Sequence, residues 1–269
     1  MKKILCAGLI ALSSQFALAA EAPAAGVDPE FAKIEAMVKA NNMTGAYQAL
    51  EKLAKQGNAQ AMYNLAFLTQ SGQGTAKNEK KAIELYEQSA AKGYPVANYV
   101  LGKNYIAGTM GLKADTAKAK QYLEKASAQG FDDASVDLAV LLFSENKPES
   151  DKTGLAKLDP LVKKGNYQAI HAKALYDIST GFKNKDEKPI QQGLNSIQDL
   201  AKKGYIPALM AVGNMFTNGN IIPQNLTEAQ KIFTALAKEN VPQAKESLAT
   251  VNKMIAEQAK NPKAAQKKS

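Results

Sequence analysis

Residues 61–93 read AMYNLAFLTQSGQGTAKNEKKAIELYEQSAAKG, and this stretch decides the fold. Two runs of good helix formers flank the segment Ser71–Gly74, whose glycines are typical of a turn. The second run ends in Ala-Ala-Lys-Gly. Glycine tolerates the left-handed conformation that closes a helix, and lysine interacts favourably with the helix C-terminus. The stretch therefore predicts two antiparallel helices joined by a short turn.

The end of this hairpin recurs along the chain. We call the residue at that position the marker, and the markers, spaced 35–39 residues apart, are Gly57, Gly93, Gly130, Gly165, Gly204 and Asn240. An alanine stands four residues after every marker and an alanine or glycine nine residues after it, so a neighbouring helix can approach closely. Positions 11, 7 and 3 before each marker form one small or apolar stripe on the second helix. A single hairpin cannot bury this stripe, so the sequence predicts stacked hairpins in an all-α solenoid of about five to six helix pairs.

The N-terminal residues have the pattern of a secretion signal. Two lysines precede the apolar run Ile4–Leu12, and Ala17–Ala19 supplies the small-x-small pattern that signal peptidase reads. The single cysteine, Cys6, lies inside this segment, so the mature chain contains no thiol. We therefore expect cleavage after Ala19 and a periplasmic location, with secretion as the alternative.

The remaining chain is predicted to follow the repeat. We expect a linker at 20–28, an opening hairpin at 29–57, five repeats, a capping helix at 241–260 and a disordered basic tail at 261–269. The repeats are expected at 58–93, 94–130, 131–165, 166–204 and 205–240. Longer turns are expected in the middle repeats, including the stretch Thr180–Pro189.

The segments Ala61–Ala66, Gly72–Gly74 and Lys81–Gly93 together resemble a Sel-1-like repeat, a tetratricopeptide-related unit of about 36 residues. The repeats that begin at Tyr94 and Tyr205 match this pattern well. The two between them match less well, because their turns lack the glycine pair and glycine replaces an alanine of the second helix. The resemblance covers roughly residues 58–250 and implies a right-handed α/α superhelix whose first helices line a concave groove. It also implies an adaptor that holds other proteins in complexes, in some exported bacterial members for secretion or polysaccharide export.

The first helices present a candidate binding stripe. Positions 6 and 10 after each marker share a face that the packing positions leave open. This predicts a partner-binding groove lined by Tyr63, Phe67, Tyr99, Lys103, Val136, Val140, His171, Leu175, Met210 and Asn214, with Glu246 and Thr250 at the same positions of the last helix. Rigid aromatic side chains are frequent interface anchors. The alternative is that these residues form the core between repeats, above all Phe67, Val140 and Leu175.

Motifs for chemistry are sparse in this sequence. The single histidine, His171, has no cysteine or second histidine with which to hold zinc, and we expect no metal, cofactor or catalytic residue. Ser89-x-x-Lys92, Ser144-x-x-Lys147 and Lys152–Gly154 match β-lactamase motifs, but they lie on helices and turns rather than in an α/β fold. A cryptic hydrolase is therefore the least favoured function.

Charge narrows the choice of partners. The chain carries a formal charge of +9 that comes from lysine alone, and these lysines mostly alternate with acids on helices. Without arginine, nucleic-acid binding is disfavoured, and after the N-terminal segment no apolar run is long enough to span a membrane. We expect a non-enzymatic periplasmic adaptor for a protein partner in the cell envelope. The alternative is a binder of envelope polysaccharide or peptidoglycan, with weak attachment of the basic tail to anionic polymer.

Overall fold

The computed structural model describes residues 29–260, and thirteen α-helices are the regular elements of that range. They are α1 (Pro29–Lys39), α2 (Met43–Lys55), α3 (Ala59–Ser71), α4 (Glu79–Ala91), α5 (Pro95–Ala107), α6 (Thr116–Ala128), α7 (Asp132–Ser144), α8 (Pro148–Lys163), α9 (Tyr167–Asn184), α10 (Glu187–Lys202), α11 (Ile206–Asn218), α12 (Leu226–Lys238) and α13 (Ala244–Lys260). Six hairpins and one closing helix follow one another, and the predicted all-α solenoid class is confirmed.

Local sequence explains where the helices begin and end. Asn58, Asn78 and Asn166 each accept a hydrogen bond from the backbone N–H three residues further on, at 2.9–3.0 Å, and so cap α3, α4 and α9. At the other end, Gly72 and Gly108 close α3 and α5 with φ values of +71° and +64°. Side chains with a Cβ are strained at such angles, so glycine is favoured at the turns of these two hairpins.

The marker-based packing positions form the core. All six alanines placed four residues after a marker are fully buried. The residue seven positions before each marker is equally buried, with 0–1% of its surface exposed, in Leu50, Tyr86, Leu123, Leu158, Ile197 and Phe233. The predicted packing stripe of the second helices is therefore buried at positions 11 and 7, whereas position 3 is only half-buried in Ser127, Val162, Ala201 and Ala237.

Glycines in the helices make room for these large side chains. A Cβ added to Gly213 of α11 would lie 2.6 Å from the Phe233 ring, and one added to Gly193 of α10 would lie 2.5 Å from the carbonyl oxygen of Ala174. Carbon atoms of packed groups prefer separations near 3.5–4.0 Å. The helices of these hairpins therefore approach at distances that no larger residue permits.

Contacts divide the chain into two compact units, with the boundary between Leu138 and Ala139. In the first unit, Ile34, Leu50, Leu68, Tyr86, Leu101 and Leu123 are fully buried. In the second unit, the same is true of Leu158, Ile197, Leu200, Phe233 and Val251. Each unit thus has a core of its own.

The predicted turn at Thr180–Pro189 is wrong. Helix α9 continues to Asn184, and α10 begins at Glu187. Lys185 adopts a left-handed conformation with φ +56°, and the Asp186 carboxylate accepts a hydrogen bond from the Lys188 N–H at 3.0 Å. Two residues therefore suffice to reverse the chain, and α9 gains a turn and a half over the thirteen residues of α3 or α5.

The predicted secretion signal, linker and basic tail lie outside the described residues. Within residues 29–260, no helix combines the length and the apolar character that a membrane span requires.

Candidate partner-binding surface

At position 6 of three first helices, an aromatic side chain packs against the next repeat. The ring of Tyr63 lies 5.4 Å from that of Tyr94, and the ring of Tyr99 lies 4.9 Å from that of Phe131. In the second unit, the His171 ring lies 5.7 Å from the Tyr205 ring. Each partner ring belongs to the residue directly after the next marker, so these contacts hold consecutive repeats together.

Two predicted groove residues are therefore wrong. Tyr63 and Val136 are buried, with 6% and 7% of their surface exposed. Burial raises the pKa of the Tyr63 phenol to about 12, as expected for a group withdrawn from water. Tyr99, His171 and Met210 are half-buried, and Met210 packs against the core cluster that contains Phe233 and Val251.

Position 10 behaves in the opposite way. Val140 and Leu175 are 50% and 42% exposed, and Lys103 and Asn214 are exposed as well. The alternative that Val140 and Leu175 belong to the core between repeats is therefore wrong. Phe67 is half-buried and packs against the core of the first unit, so the core interpretation holds better for this residue. Glu246 and Thr250 of α13 are exposed.

The first unit offers a small charged surface at Tyr99. The Lys103 Nζ lies 2.8 Å from Asp137 Oδ2 and 5.9 Å from the centre of the Tyr99 ring. Burial, helped by Asp137 and Asp133, raises the pKa of the Tyr99 phenol above its usual value. Burial also raises the pKa of Asp133, and the neighbouring acids Asp137 and Asp132 add to the effect. Lys103 therefore already has a partner in this surface.

The second unit contains two adjoining clefts. The cleft between α7 and α9, which we call the α7–α9 cleft, encloses about 330 Å³ and is lined by Val140, Phe143, Asn146, Asp151, Ala172, Leu175, Tyr176, Ser179, Thr180, Lys183 and Asn184. The cleft between α9 and α11, the α9–α11 cleft, encloses about 290 Å³ and is lined by Leu175, Ala211, Asn214, Met215, Asn218, Asn220 and Ile221. Leu175 belongs to both clefts and forms the ridge between them.

The α7–α9 cleft combines aromatic rings with an unsatisfied acceptor. The rings of Phe143 and Tyr176 lie 4.2 Å apart at 30°. The Asp151 Oδ1 atom is shielded from solvent and accepts no hydrogen bond. Burial is the main reason that the pKa of Tyr176 lies above its usual value, and the Asp151 carboxylate adds to the shift while Thr180 opposes it.

Departures from the repeat pattern build this cleft. Gly154 stands where the matched repeats have alanine, and a Cβ there would lie 2.6 Å from the Phe143 ring. The extension of α9 past the length of a regular first helix supplies Ser179, Thr180 and Lys183. None of these residues was predicted to line a binding site, although the glycine at position 154 is a visible departure from the repeat pattern.

A larger groove lies on the second unit between the start of α11 and the helix α12. It encloses about 810 Å³ and is lined by Gly204, Ile206, Leu209, Gln230, Lys231, Thr234, Ala235, Leu236, Lys238 and Glu239. This lining includes no aromatic ring and no buried polar atom without a partner. It therefore offers less chemistry for recognition than the two clefts.

The residues singled out for chemistry have structural surroundings. The Ser89 hydroxyl is fully buried and donates to the Ala59 carbonyl at 2.6 Å, and the Ser144 hydroxyl donates to the Leu141 carbonyl at the same distance. His171 Nε2 is buried without a partner, and burial lowers the pKa of this imidazole. Between residues 29 and 260, no group of three His, Cys, Asp or Glu side chains could hold a metal ion.

A family model described as Sel1 repeat matches residues 59–94, 95–131 and 206–241. Three segments of this chain are therefore Sel1 repeats. The predicted resemblance is confirmed, and so is the weaker match of the two middle repeats, which lie between the matched segments. Sel1-repeat proteins mediate protein–protein interaction.

The chain is also similar to a curated relative and to two solved structures. The Sel1-repeat chain is 29% identical over 163 residues to an uncharacterised protein of Neisseria meningitidis serogroup B, an alignment covering 56% of this chain and 33% of the relative. It is similar in structure to a Sel1 repeat protein from Oxalobacter formigenes, with a TM-score of 0.64, 22% identity and coverage of 84% and 88%. A protective antigen of uropathogenic Escherichia coli with an SLR fold gives a TM-score of 0.60, 22% identity and coverage of 78% and 45%. The alignment thus spans about a third of the meningococcal relative.

Proposed function

We propose that this Sel1-repeat chain is an exported, non-enzymatic scaffold that binds a protein partner of the cell envelope through the two clefts of its second unit. One observation carries the proposal. The exposed residues Val140, Leu175 and Asn214 occupy the same position of three successive first helices, and all of them line the clefts. A stack of repeats offers such a line of equivalent positions to an extended segment of a partner.

The chemistry of the clefts suits a polypeptide. Leu175 is an exposed apolar ridge, and covering it with a partner would remove apolar surface from water, which favours binding. The α9–α11 cleft adds the amides of Asn214, Asn218 and Asn220. Each amide can donate to and accept from the backbone of a bound peptide.

A crosslinking experiment tests this surface. A photoreactive amino acid at position 140 should capture a discrete partner in living cells, and Leu175→Asp should abolish that product. Ile106→Asp is the matched control, because Ile106 is also 42% exposed but lies outside both clefts. Capture that survives Leu175→Asp, or that is lost equally in Ile106→Asp, contradicts the proposal.

The proposed location outside the cytoplasm depends on residues 1–19. Their charged, apolar and small-residue segments are the pattern of a cleavable signal. We expect the mature chain to begin at Ala20 and to be released with periplasmic contents. Mass spectrometry of the purified native protein measures this directly, and a cytoplasmic chain that retains residues 1–19 is the contrary result.

A glycan is the second candidate for the same surface. The Phe143–Tyr176 ring pair stands among hydroxyl and amide groups of Ser179, Thr180 and Asn146. Retention on purified peptidoglycan or polysaccharide in high salt, lost in a Tyr176→Ala variant, is the result that would favour it.

A further inference from the structure

Asp151 presents one oxygen without a donor, although the Tyr176 hydroxyl lies within reach of the same carboxylate. Its Oδ1 atom is out of contact with solvent and has no hydrogen-bond partner. Lys183 lines the same cleft but does not donate to this oxygen. A carboxylate can only accept hydrogen bonds when ionised, and a buried acceptor left unpaired costs free energy. A bound group that brings an N–H donor into the cleft would remove this cost.

The walls of the cleft specify more than a donor. The Phe143–Tyr176 ring pair supplies π faces, which attract cations. Val140 and Leu175 supply exposed aliphatic surface at the entrance. Long basic side chains bury an aliphatic stem along apolar surface while they carry a charge at the tip. The cleft volume of about 330 Å³ is at the lower end of the range for ligand pockets.

We propose that the α7–α9 cleft receives one basic side chain of the docked partner segment, with its stem against Val140 and Leu175 and its cation at Asp151 beside the two rings. This inference rests on the proposed function and names the partner chemistry of the same surface. Rotation of the Asp151 carboxylate exchanges its two oxygens, so a guanidinium can engage both of them. The partner segment is therefore expected to contain arginine, a residue absent from this chain.

Lys183 provides a second test, because its replacement should change the affinity for a basic ligand in the opposite direction to the replacement of Asp151. Lys183 lines the same cleft, so its ammonium would repel an incoming cation. Replacing Asp151 should weaken binding of a basic ligand, whereas replacing Lys183 should strengthen it. A neutral sugar would lose hydrogen bonds in both variants. Opposite changes in affinity therefore indicate a basic ligand, whereas a loss of affinity in both variants indicates a sugar.

The test uses two synthetic peptides and the whole chain. The probes are acetyl-Leu-Ala-Arg-Ala-Leu-amide and the same peptide with citrulline, which keeps the shape of arginine without its charge. Titration at low salt, followed through the NMR signals of the Tyr176 ring, should show at least about 10-fold tighter binding of the arginine peptide, the ratio that corresponds to about 1.4 kcal/mol. Asp151→Asn should remove this preference, and Lys183→Gln should tighten binding about two- to threefold, as expected for a partly screened charge.

Asp159→Asn is the matched control, because Asp159 is an exposed carboxylate on the same helix as Asp151 but outside the cleft. It should leave the affinity unchanged. The comparison of arginine with citrulline on the unmodified chain needs no variant, so a folding defect in Asp151→Asn does not obscure the result. Equal affinities for the two peptides, no binding at millimolar concentration, or weaker binding in Lys183→Gln overturns the proposal.

Failure of this inference can be told apart from failure of the proposed function. If Leu175→Asp abolishes the crosslink at position 140 while Asp151→Asn does not change it, a partner docks at the clefts without a basic anchor. If Leu175→Asp leaves the crosslink intact, the docking surface itself is misassigned.

Discussion

The ring of Tyr63 lies 5.4 Å from the ring of Tyr94, the first residue of the following repeat. This contact links two hairpins through their first helices. Equivalent ring contacts recur at Tyr99 with Phe131 and at His171 with Tyr205. The aromatic position that resembles a binding stripe in the sequence is thus a structural joint of the repeat array.

Truncation of a joint residue is therefore expected to cost stability. Tyr63→Ala should lower the free energy of unfolding by about 3–5 kcal/mol, the usual cost of removing a buried aromatic side chain. Leu175→Ala removes an exposed side chain and should change it by no more than about 0.5 kcal/mol. Urea denaturation followed by circular dichroism measures both. Similar losses in the two variants would mean that the assignment of joint and surface is wrong.

The close approach of α9 and α10 depends on Gly193. Alanine is the better helix former by about 1 kcal/mol, yet Gly193→Ala should destabilise the chain by about 1–3 kcal/mol. The added methyl group would lie 2.5 Å from the Ala174 carbonyl oxygen, which is backbone and cannot rotate away. Gln198→Ala on the exposed part of the same helix is the control and should be neutral or slightly stabilising. A melting temperature raised by Gly193→Ala contradicts the packing.

Acidic pH should lower the thermal stability of the second unit, because the buried His171 becomes protonated on unfolding. Burial lowers the pKa of this imidazole below its usual value of 6.5, so the unfolded chain binds a proton more readily than the folded one. The neutral ring contributes stability above pH 6.5, the pKa of histidine in the unfolded chain. This contribution is lost as the pH falls from 6.5 to the lower pKa of the folded protein. Melting temperatures between pH 7.5 and 5 should decline, and His171→Gln should flatten that decline. An unchanged slope in the variant excludes His171 as the cause.

The buried Ser89 hydroxyl should behave as a structural group. It donates to the Ala59 carbonyl at 2.6 Å and thereby ties α4 to the start of α3. Ser89→Ala removes this hydrogen bond and should cost about 1 kcal/mol in thermal or urea unfolding. Ser144→Ala, at an exposed helix end, is the comparison and should have a smaller effect. Equal losses of stability in the two variants would show that the buried Ser89 hydrogen bond stabilises the chain no more than the exposed one of Ser144.

The repeat pattern was sufficient to predict the fold, because the marker spacing and the small residues at fixed positions define both helices of each hairpin. It also placed Val140, Leu175 and Asn214 on a candidate binding face of the first helices, but left open that Val140 and Leu175 form the core between repeats. It could not separate position 6 from position 10, since both lie on the same helical face and only the placement of the next hairpin decides which is covered.

The rest of the cleft could not be predicted from the period. Asp151 and Tyr176 occupy positions where no residue recurs from repeat to repeat, and Phe143 contacts its glycine across a hairpin. The extension of α9 depends on Asp186 and Lys185 closing a two-residue turn, whereas the polar composition of Thr180–Pro189 is equally typical of a loop.

Leu175 separates two clefts whose walls are successive first helices, and for these we take the spacing of about 8–10 Å that is usual for packed helices. A chain in the polyproline II conformation rises about 3.1 Å per residue and brings every third side chain to the same face, so its repeat of about 9.3 Å matches that distance. A ligand that spans the ridge is thus expected to be read in steps of three residues, with positions i and i+3 in the two clefts. The spacing between anchor residues, and not only their identity, then becomes a property by which a binding sequence can be recognised.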